Sequence, residues 1–174
     1  MDLTVIIPVL NEEKTLREII SRVKATELAS EILVVDDGST DGTKDILKGY
    51  ADDPQVRVIT SEKNEGKGAA VRKGIQHARC EYAIIQDADL EYDPRWIPAL
   101  IKPIEDGIAD VVYGSRFLGG ARRPILFWNM VANKLLTFMT NILYNNILSD
   151  METGYKLFKV SMIRDIPLHA RSFD

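Results

Sequence analysis

Ile84-Ile85-Gln86-Asp87-Ala88-Asp89-Leu90-Glu91 ends a short apolar β run, Tyr82 to Ile85, abruptly in acid. Asp87, Asp89 and Glu91 alternate, so an extended segment would send their side chains to one side. Carboxylates gathered at a strand end repel one another unless a cation sits among them. Mg²⁺ or Mn²⁺ held by one or two carboxylates plus diphosphate oxygens fits that pattern. A solvated acidic turn that merely closes the strand is the plainer alternative.

Upstream of this stretch the chain alternates strand and helix. Leu3 to Val9 is a continuous apolar run rich in β-branched residues and reads as a buried parallel strand. Pro8 lies near its end, where a missing ladder N–H costs little. Asn11 is expected to cap a helix whose Leu16, Ile19, Ile20 and Val23 recur at helical spacing. Glu31 to Val35 is a second apolar strand ending in Asp36-Asp37-Gly38-Ser39. Thr40 or Asp41 is expected to cap the next helix, which carries Ile46, Leu47 and Tyr50. Val56 to Thr60 is a third strand. Asn64-Glu65-Gly66-Lys67-Gly68 then opens a helix running to about Ala78, a helix N-terminus that suits a phosphate, with Lys67 either touching it or simply solvated. The spacing is not that of a P-loop. A β-α-β succession implies right-handed crossovers and parallel pairing.

Downstream, Asp93 is placed to cap a helix with Pro94 at its first position and Ile97, Leu100, Ile101 and Ile104 on its apolar face. Asp110 to Tyr113 is a fifth strand, followed by Gly114-Ser115-Arg116 and a glycine-containing, basic loop, Phe117 to Pro124. Ile125 to Leu148 predicts a long helix whose only charge is Lys134. Asn129, Asn133, Thr137, Asn141 and Asn145 recur every four residues, a row that winds slowly along one side. That polar row makes bilayer insertion costly. Two readings stay open: a helix pair packed on the sheet with its ridge near the site, or an amphipathic surface that touches a bilayer or a lipid. Ser149 to Lys156 is a turn into a strand from Leu157 to Val160. Asp150 and Thr153 serve to cap or bend the chain, and Lys156 is a candidate to face the acidic stretch.

The chain of 174 residues, 28% charged and 45% hydrophobic, is long enough for one domain with a real core. Its net charge of -4 argues against a dedicated nucleic-acid binder. Cys80 is the single cysteine, so no intrachain disulfide forms and a reducing compartment is the expectation. It reads as a small packed residue, and His77 and His169 have no metal-ligand partners at helical spacing. No signal-peptide pattern is visible at the N-terminus. The expected location is cytoplasmic, peripheral at a membrane face at most. Three strands end in polar clusters, Pro8 to Glu12, Asp36 to Ser39 and Gln86 to Glu91, and in an open α/β sheet ligands bind beyond such strand ends.

The ordered set Ile7-Pro8-Val9-Leu10-Asn11-Glu12, Val35-Asp36-Asp37-Gly38-Ser39, Asn64 to Gly68, Asp87-Ala88-Asp89-Leu90-Glu91, Gly114-Ser115-Arg116-Phe117 and Asp150 to Phe158 resembles glycosyltransferase family 2, within it the dolichol-phosphate mannose or glucose synthase branch. The resemblance implies an α/β, GT-A fold: a Rossmann-like nucleotide-diphosphosugar domain over 1–174, with a nucleotide-sugar half at 1–113 and an acceptor half at 114–174. It implies that Pro8, Leu10 and Glu12 border the nucleoside and that Val35 and Asp37 contact base or ribose. Asp87, Ala88 and Asp89 would hold the diphosphate and metal, with Glu91 a further ligand candidate where relatives often carry Gln. Arg116 would touch the phosphates. Arg122 and Arg123 fall in the acceptor loop, and the helix with Asn129 and Asn133 on the acceptor-lipid surface. Many relatives carry a transmembrane tail that is not evident here, and further site residues are expected beyond Asp174.

The family inverts at the anomeric carbon. A polyprenyl or dolichyl phosphate acceptor is already anionic and needs no strong base, only cations such as Arg122, Arg123 or Lys156 to position it. A sugar hydroxyl would need a carboxylate base, for which no clear candidate exists. That asymmetry favours lipid-phosphate glycosylation from GDP-mannose or UDP-glucose, mannose slightly ahead. The competing classes are a nucleotidyltransferase, which would want a glycine-rich signature where Pro8 to Glu12 stands, and a non-catalytic sugar-nucleotide binding module.

Overall fold

The structure is a computed structural model and describes residues 1–117 and 126–167. Arg122, Arg123 and His169 lie outside the described residues. Strands β1 (Leu3–Val9), β2 (Glu31–Asp36), β3 (Val56–Thr60) and β4 (Tyr82–Ile85) alternate with helices α1 (Leu16–Ala25), α2 (Thr43–Lys48) and α3 (Lys67–His77). A turn of 3₁₀ helix, Pro94–Trp96, leads into α4 (Ile97–Glu105), followed by β5 (Val111–Tyr113), α5 (Phe127–Tyr144), β6 (Lys156–Lys159) and the short α6 (Val160–Ile163). The six strands form one sheet in the order β3-β2-β1-β4-β6-β5.

β1 to β4 pair in parallel, with Val5 opposite both Ile32 and Ile84. β6 then runs antiparallel between β4 and β5. That reversal matters for the site. The carboxyl ends of β1 to β5 and the start of β6 all meet at one edge.

Strands buried on both faces need helices on both faces, and the alternation in β1 shows how they are served. Leu3, Val5, Ile7 and Val9 join α1 and α4 in one core, where Leu16, Ile19, Ile20 and Val23 meet Ile97, Leu100 and Ile101. Ile6, Leu33 and Val35 face the other way, onto Ala70 and Ile75 of α3 and Phe158 of β6. The amphipathic periods of α1 and α4 therefore point where the sequence predicts.

Local details differ from the sequence expectation. Asn11 does not cap α1: it adopts φ 56°, and its Oδ1 accepts from the Thr40 N–H at 2.8 Å, tying the loop after β1 to the loop after β2. The residue before α2 is Gly42, and Asp41 Oδ1 accepts from the Thr43 N–H at 3.0 Å. Asp93 does cap its helical turn, accepting from Arg95 N–H at 3.0 Å. α5 stops at Tyr144, where Asn145 takes the left-handed conformation at φ 48°, so it is shorter than 125–148. β6 starts one residue early and Val160 already belongs to α6. No helix among the described residues is long and apolar enough to cross a membrane.

Ile84 is fully buried, opposite Val5 of β1 and Leu157 of β6, where the parallel and antiparallel parts of the sheet join. Ile84→Ala is expected to cost about 2–4 kcal/mol in urea unfolding, as a lower midpoint with an unchanged slope.

Candidate active site

At the common edge the loops are built largely from their own polar side chains. The Asn11 N–H donates to Ser39 Oγ at 2.9 Å and the Glu12 N–H to Thr43 Oγ1 at 2.8 Å. Asp36 is fully buried, and its Oδ1 accepts from the Ser39 N–H at 3.0 Å. Gly38 lets this turn form: at φ 80° a Cβ would sit 2.6 Å from the Lys63 carbonyl carbon. Asp37 is buried, and its carboxylate accepts from the N–H groups of Glu65 (3.0 Å) and Gly66 (2.7 Å). It thereby anchors the entry to α3, whose first residue is Lys67.

The acidic stretch after β4 is not extended. Residues 88–92 turn, with Leu90 at φ 62°. Asp89 Oδ1 accepts from the Glu91 N–H at 2.9 Å, a local turn contact of the kind aspartates favour. The expected one-sided row of Asp87, Asp89 and Glu91 is thus broken by the turn. Asp89 and Glu91 are exposed, whereas Asp87 is tucked in with 12% of its side chain accessible. Lys67 Nζ lies 2.6 Å from Asp87 Oδ1. That oxygen is buried and accepts no hydrogen bond, so the contact is an ion pair without hydrogen-bond alignment.

Gln86 holds this turn from behind. It is fully buried, its amide donates to the carbonyls of Asp87 (3.0 Å) and Tyr92 (2.9 Å), and its Oε1 accepts from the Tyr155 hydroxyl at 2.6 Å. Tyr92 stacks at a tilt on Tyr155, ring centroids 4.8 Å apart, and its hydroxyl accepts from the Gly154 N–H at 2.9 Å. Gly154 packs so closely that a Cβ there would sit 2.7 Å from Asp87 Oδ2. Burial pushes both tyrosine hydroxyls up, so they stay protonated, and Tyr155 donates to Gln86.

The second anionic centre is Asp150, whose side chain is fully buried. Arg116 clamps it through Nε (2.8 Å) and Nη2 (2.9 Å), the Arg116 N–H adds a bond at 3.0 Å, and Asn133 Nδ2 another at 2.8 Å. Burial alone would raise the Asp150 carboxyl, but the Arg116 and Asn133 hydrogen bonds outweigh it and hold it below the usual range. The Arg116–Asp150 bonds in turn raise the Arg116 guanidinium. Lys156 also lies here, over the Tyr113 ring at 5.6 Å. Burial and the nearby Lys67 charge lower its ammonium, against the pull of Asp150 and Asp87.

The edge therefore collects Asp37, Lys67, Asp87, Arg116, Asp150 and Lys156, joined through the loops just described. Other expected residues stand differently. Val35 is fully buried in the core, in a strand paired on both sides, and faces no ligand itself. Pro8 is buried as well, Leu10 is 38% exposed and Glu12 is half-buried. Ala88 is buried against the core. Asn133 is 1% exposed and donates to Asp150 and Glu152, so it positions the ion pair instead of facing an acceptor, while Asn129 is exposed. Cys80 is buried and its thiol is pushed up to about 11 by burial, which agrees with a packing role.

Gln86, Asp150, Gly154 and Tyr155 lie in stretches the sequence singled out but were given no site role of their own, and Tyr92 lies outside those stretches. As a metal site, Asp87 and Asp89 supply hard oxygen donors, and the buried Asp87 Oδ1 without a hydrogen bond suits a cation. No group of three or more His, Cys, Asp or Glu side chains converges among the described residues. The donor set fits a Mg²⁺ or Mn²⁺ whose remaining positions come from phosphate and water, not an all-protein cage.

α5 is turned inside out relative to an ordinary surface helix. Its polar ridge faces inward: Asn133 and Thr137 are buried, Thr137 donates to Asn133 Oδ1 at 3.2 Å, and the Asn141 side chain bonds both backbone groups of Leu148. Its apolar side is open, with Trp128, Phe138, Ile142 and Leu143 61–76% exposed. It is one helix joined to the 148–152 turn through its polar side, not a helix pair buried on the sheet.

Residues 4–167 match the family described as Glycosyl transferase family 2. The chain is 32% identical over 173 residues to an uncharacterized protein of Methanocaldococcus jannaschii, covering 92% of this chain and 73% of that one. It is 31% identical over 178 residues to the dolichol-phosphate mannosyltransferase of Pyrococcus furiosus, covering 99% of this chain but half (50%) of that enzyme. Among solved structures, glucosyl-3-phosphoglycerate synthase of Mycobacterium tuberculosis superposes with a TM-score of 0.74 at 24% identity, over 99% of this chain and 61% of that one. A complex of that synthase with Mn²⁺, UDP-glucose and phosphoglyceric acid gives 0.73 at 22% identity, with the same coverage. The sheet order and these superpositions make this a GT-A fold.

Replacing Asp150 with Asn keeps the shape and removes the charge that Arg116 was built around. Asp150→Asn is expected to lose about 2–4 kcal/mol of stability at pH 7. A lowered folded-state carboxyl stabilises above its unfolded value and loses that contribution as pH falls through the folded value. The gap between wild type and variant in urea unfolding should therefore close as the pH drops below about 4.

Proposed function

The chain belongs to glycosyl transferase family 2, and on that premise we propose that it moves a hexose, mannose in the first instance, from a nucleotide-diphosphosugar to a polyprenyl phosphate with inversion. The observation that carries this reading is the shared scaffold of α5. One helix braces the Arg116–Asp150 pair through Asn133 and shows its apolar side to solvent. That arrangement brings a lipid-compatible surface next to a cationic, phosphate-compatible edge. The Pyrococcus relative is named for dolichol phosphate, which is the same acceptor chemistry.

Under this reading Leu10, Glu12 and Asp37 border the nucleoside, with the buried Pro8 and Val35 forming the floor beneath them. Asp87, Ala88, Asp89 and Lys67 meet the diphosphate. A divalent cation at Asp87 and Asp89 would neutralise charge growing on the departing diphosphate. Arg116 has five N–H donors, of which Asp150 takes two through Nε and Nη2, and its role is to hold leaving-group oxygens as charge develops. Asp150 keeps that fork from turning, and Asn133 keeps Asp150 in place. The acceptor phosphate oxygen attacks the anomeric carbon as the bond to the diphosphate oxygen breaks, and the acceptor brings its own negative charge, so no protein base is consumed. Lys156, Arg122, Arg123 and Asn129 are assigned to the acceptor side, with the apolar side of α5 laid against the membrane surface that carries the lipid.

Calorimetric titration of GDP-mannose and of UDP-glucose, with Mn²⁺ and with EDTA, tests the donor half. Binding of one donor is expected with Mn²⁺ and its loss, by about tenfold or more, with EDTA or in Asp89→Ala. Mannosyl transfer to a polyprenyl phosphate in mixed vesicles tests the other half. Transfer to soluble sugars with none to the lipid phosphate would overturn the acceptor assignment.

A further inference from the structure

We propose that Lys67 is a resident counter-ion standing in the divalent cation's place at Asp87, and that the cation enters only together with the donor diphosphate, which draws the lysine away. The inference rests on the reading of Asp87 as a metal ligand given above.

The geometry supports an exchange. Lys67 Nζ sits 2.6 Å from Asp87 Oδ1, the oxygen that a hard cation would need. Gly154 beside the second oxygen carries no side chain, since a Cβ there would sit 2.7 Å from Asp87 Oδ2, so the lysine is the group that covers this carboxylate. A divalent ion and an ammonium cannot share one oxygen at such range without strong repulsion. Lys156 is a second positive charge within reach of both Lys67 and Asp87, and the N-terminus of the 11-residue α3 adds its partial positive charge. A bare cation arriving at Asp87 thus meets an ammonium already on the oxygen it would take. A cation arriving on a diphosphate does not, because the same two lysines and the helix N-terminus then face phosphate oxygens.

The lysine can also move without dragging its helix. Asp37 fixes the backbone just ahead of it through the N–H groups of Glu65 and Gly66. The pivot is held while the four-carbon stem of Lys67 swings from carboxylate to phosphate. The site then stays charge-compensated in both states, with the turn at Asp87 undisturbed.

Electron paramagnetic resonance counts free Mn²⁺ directly and needs no turnover. In the wild-type chain Mn²⁺ alone is expected to bind weakly, and GDP or UDP to tighten it. Lys67→Met is expected to bind Mn²⁺ alone about fivefold or more tightly than wild type, with a smaller further gain from nucleotide. Lys67→Arg should behave as wild type, and adding Asp87→Asn to Lys67→Met should abolish the gain, which locates the ion. Lys67→Gln carries the same comparison should the methionine variant fail to fold, as judged by circular dichroism. Equal or weaker binding of Mn²⁺ alone by folded Lys67→Met and Lys67→Gln overturns the exchange. That arm contains no donor, so its outcome is separate from a failure of both nucleotide sugars to bind, which would sink the functional reading instead.

Discussion

Carboxylates withdrawn from water stay ionised only when cations and hydrogen-bond donors surround them, and most of the site edge is arranged around that constraint. Asp150 is fully buried and survives because Arg116 grips it in a two-pronged fork while Asn133 and the Arg116 backbone fill further lone-pair directions. Asp87 is nearly buried and pairs with Lys67. Removing the cation from either pair would leave an uncompensated charge at the end of a sheet, which costs far more than the pair itself contributes. The loops at this edge are therefore not free to drift. Their conformations are fixed by which charge must meet which.

The reversed strand makes those meetings possible. Had β6 run parallel to β4, its start would lie at the far end of the sheet and Asp150, Gly154 and Tyr155 would be remote from Asp87. Running antiparallel, it delivers all three to the edge where β4 ends. The bond from the Gly154 N–H to Tyr92 and the bond from Tyr155 to Gln86 then lock the start of β6 to the acidic turn, across 62 and 69 residues of sequence. Glycine at 154 keeps this approach open, since a Cβ there would crowd Asp87 Oδ2 at 2.7 Å and the Tyr92 ring at 2.9 Å.

The parallel half of the sheet was legible because burial on both faces writes itself as unbroken apolar runs, and β1 to β4 match the expected spans within a residue. The helix faces of α1 and α4 were legible for the same reason. What the sequence did not reveal is long-range pairing. Asp150 looks like any turn aspartate until Arg116, 34 residues earlier, is folded onto it. The alternation of Asp87, Asp89 and Glu91 misled because it assumed an extended backbone, whereas Leu90 at positive φ and the Asp89–Glu91 contact make a turn. Asn11 misled in a similar way: as a polar residue ahead of a helix it looked like a cap, but its side chain is spent on the neighbouring loop. Short polar side chains serve several backbone geometries equally well, and only tertiary context chooses among them.

α5 shows how that choice propagates outward. An apolar helix in a globular chain normally turns its apolar side to the core and its polar side to water. Here Asn133 is needed at Asp150, and Thr137, Thr140 and Asn141 are needed at the turn that carries it. Those four lie on one side at helical spacing, so committing them inward leaves Trp128, Leu135, Phe138, Met139, Ile142 and Leu143 outward by geometry alone. Exposure of so much apolar surface on one helix is uncommon in a free-standing soluble protein and marks a surface that meets something apolar. The buried ion pair and the exposed apolar side are thus consequences of one helix orientation. Under the lipid-phosphate reading this explains how the two are kept in register: any movement that lifts α5 from its lipid would also pull Asn133 from Asp150 and loosen the fork that holds Arg116.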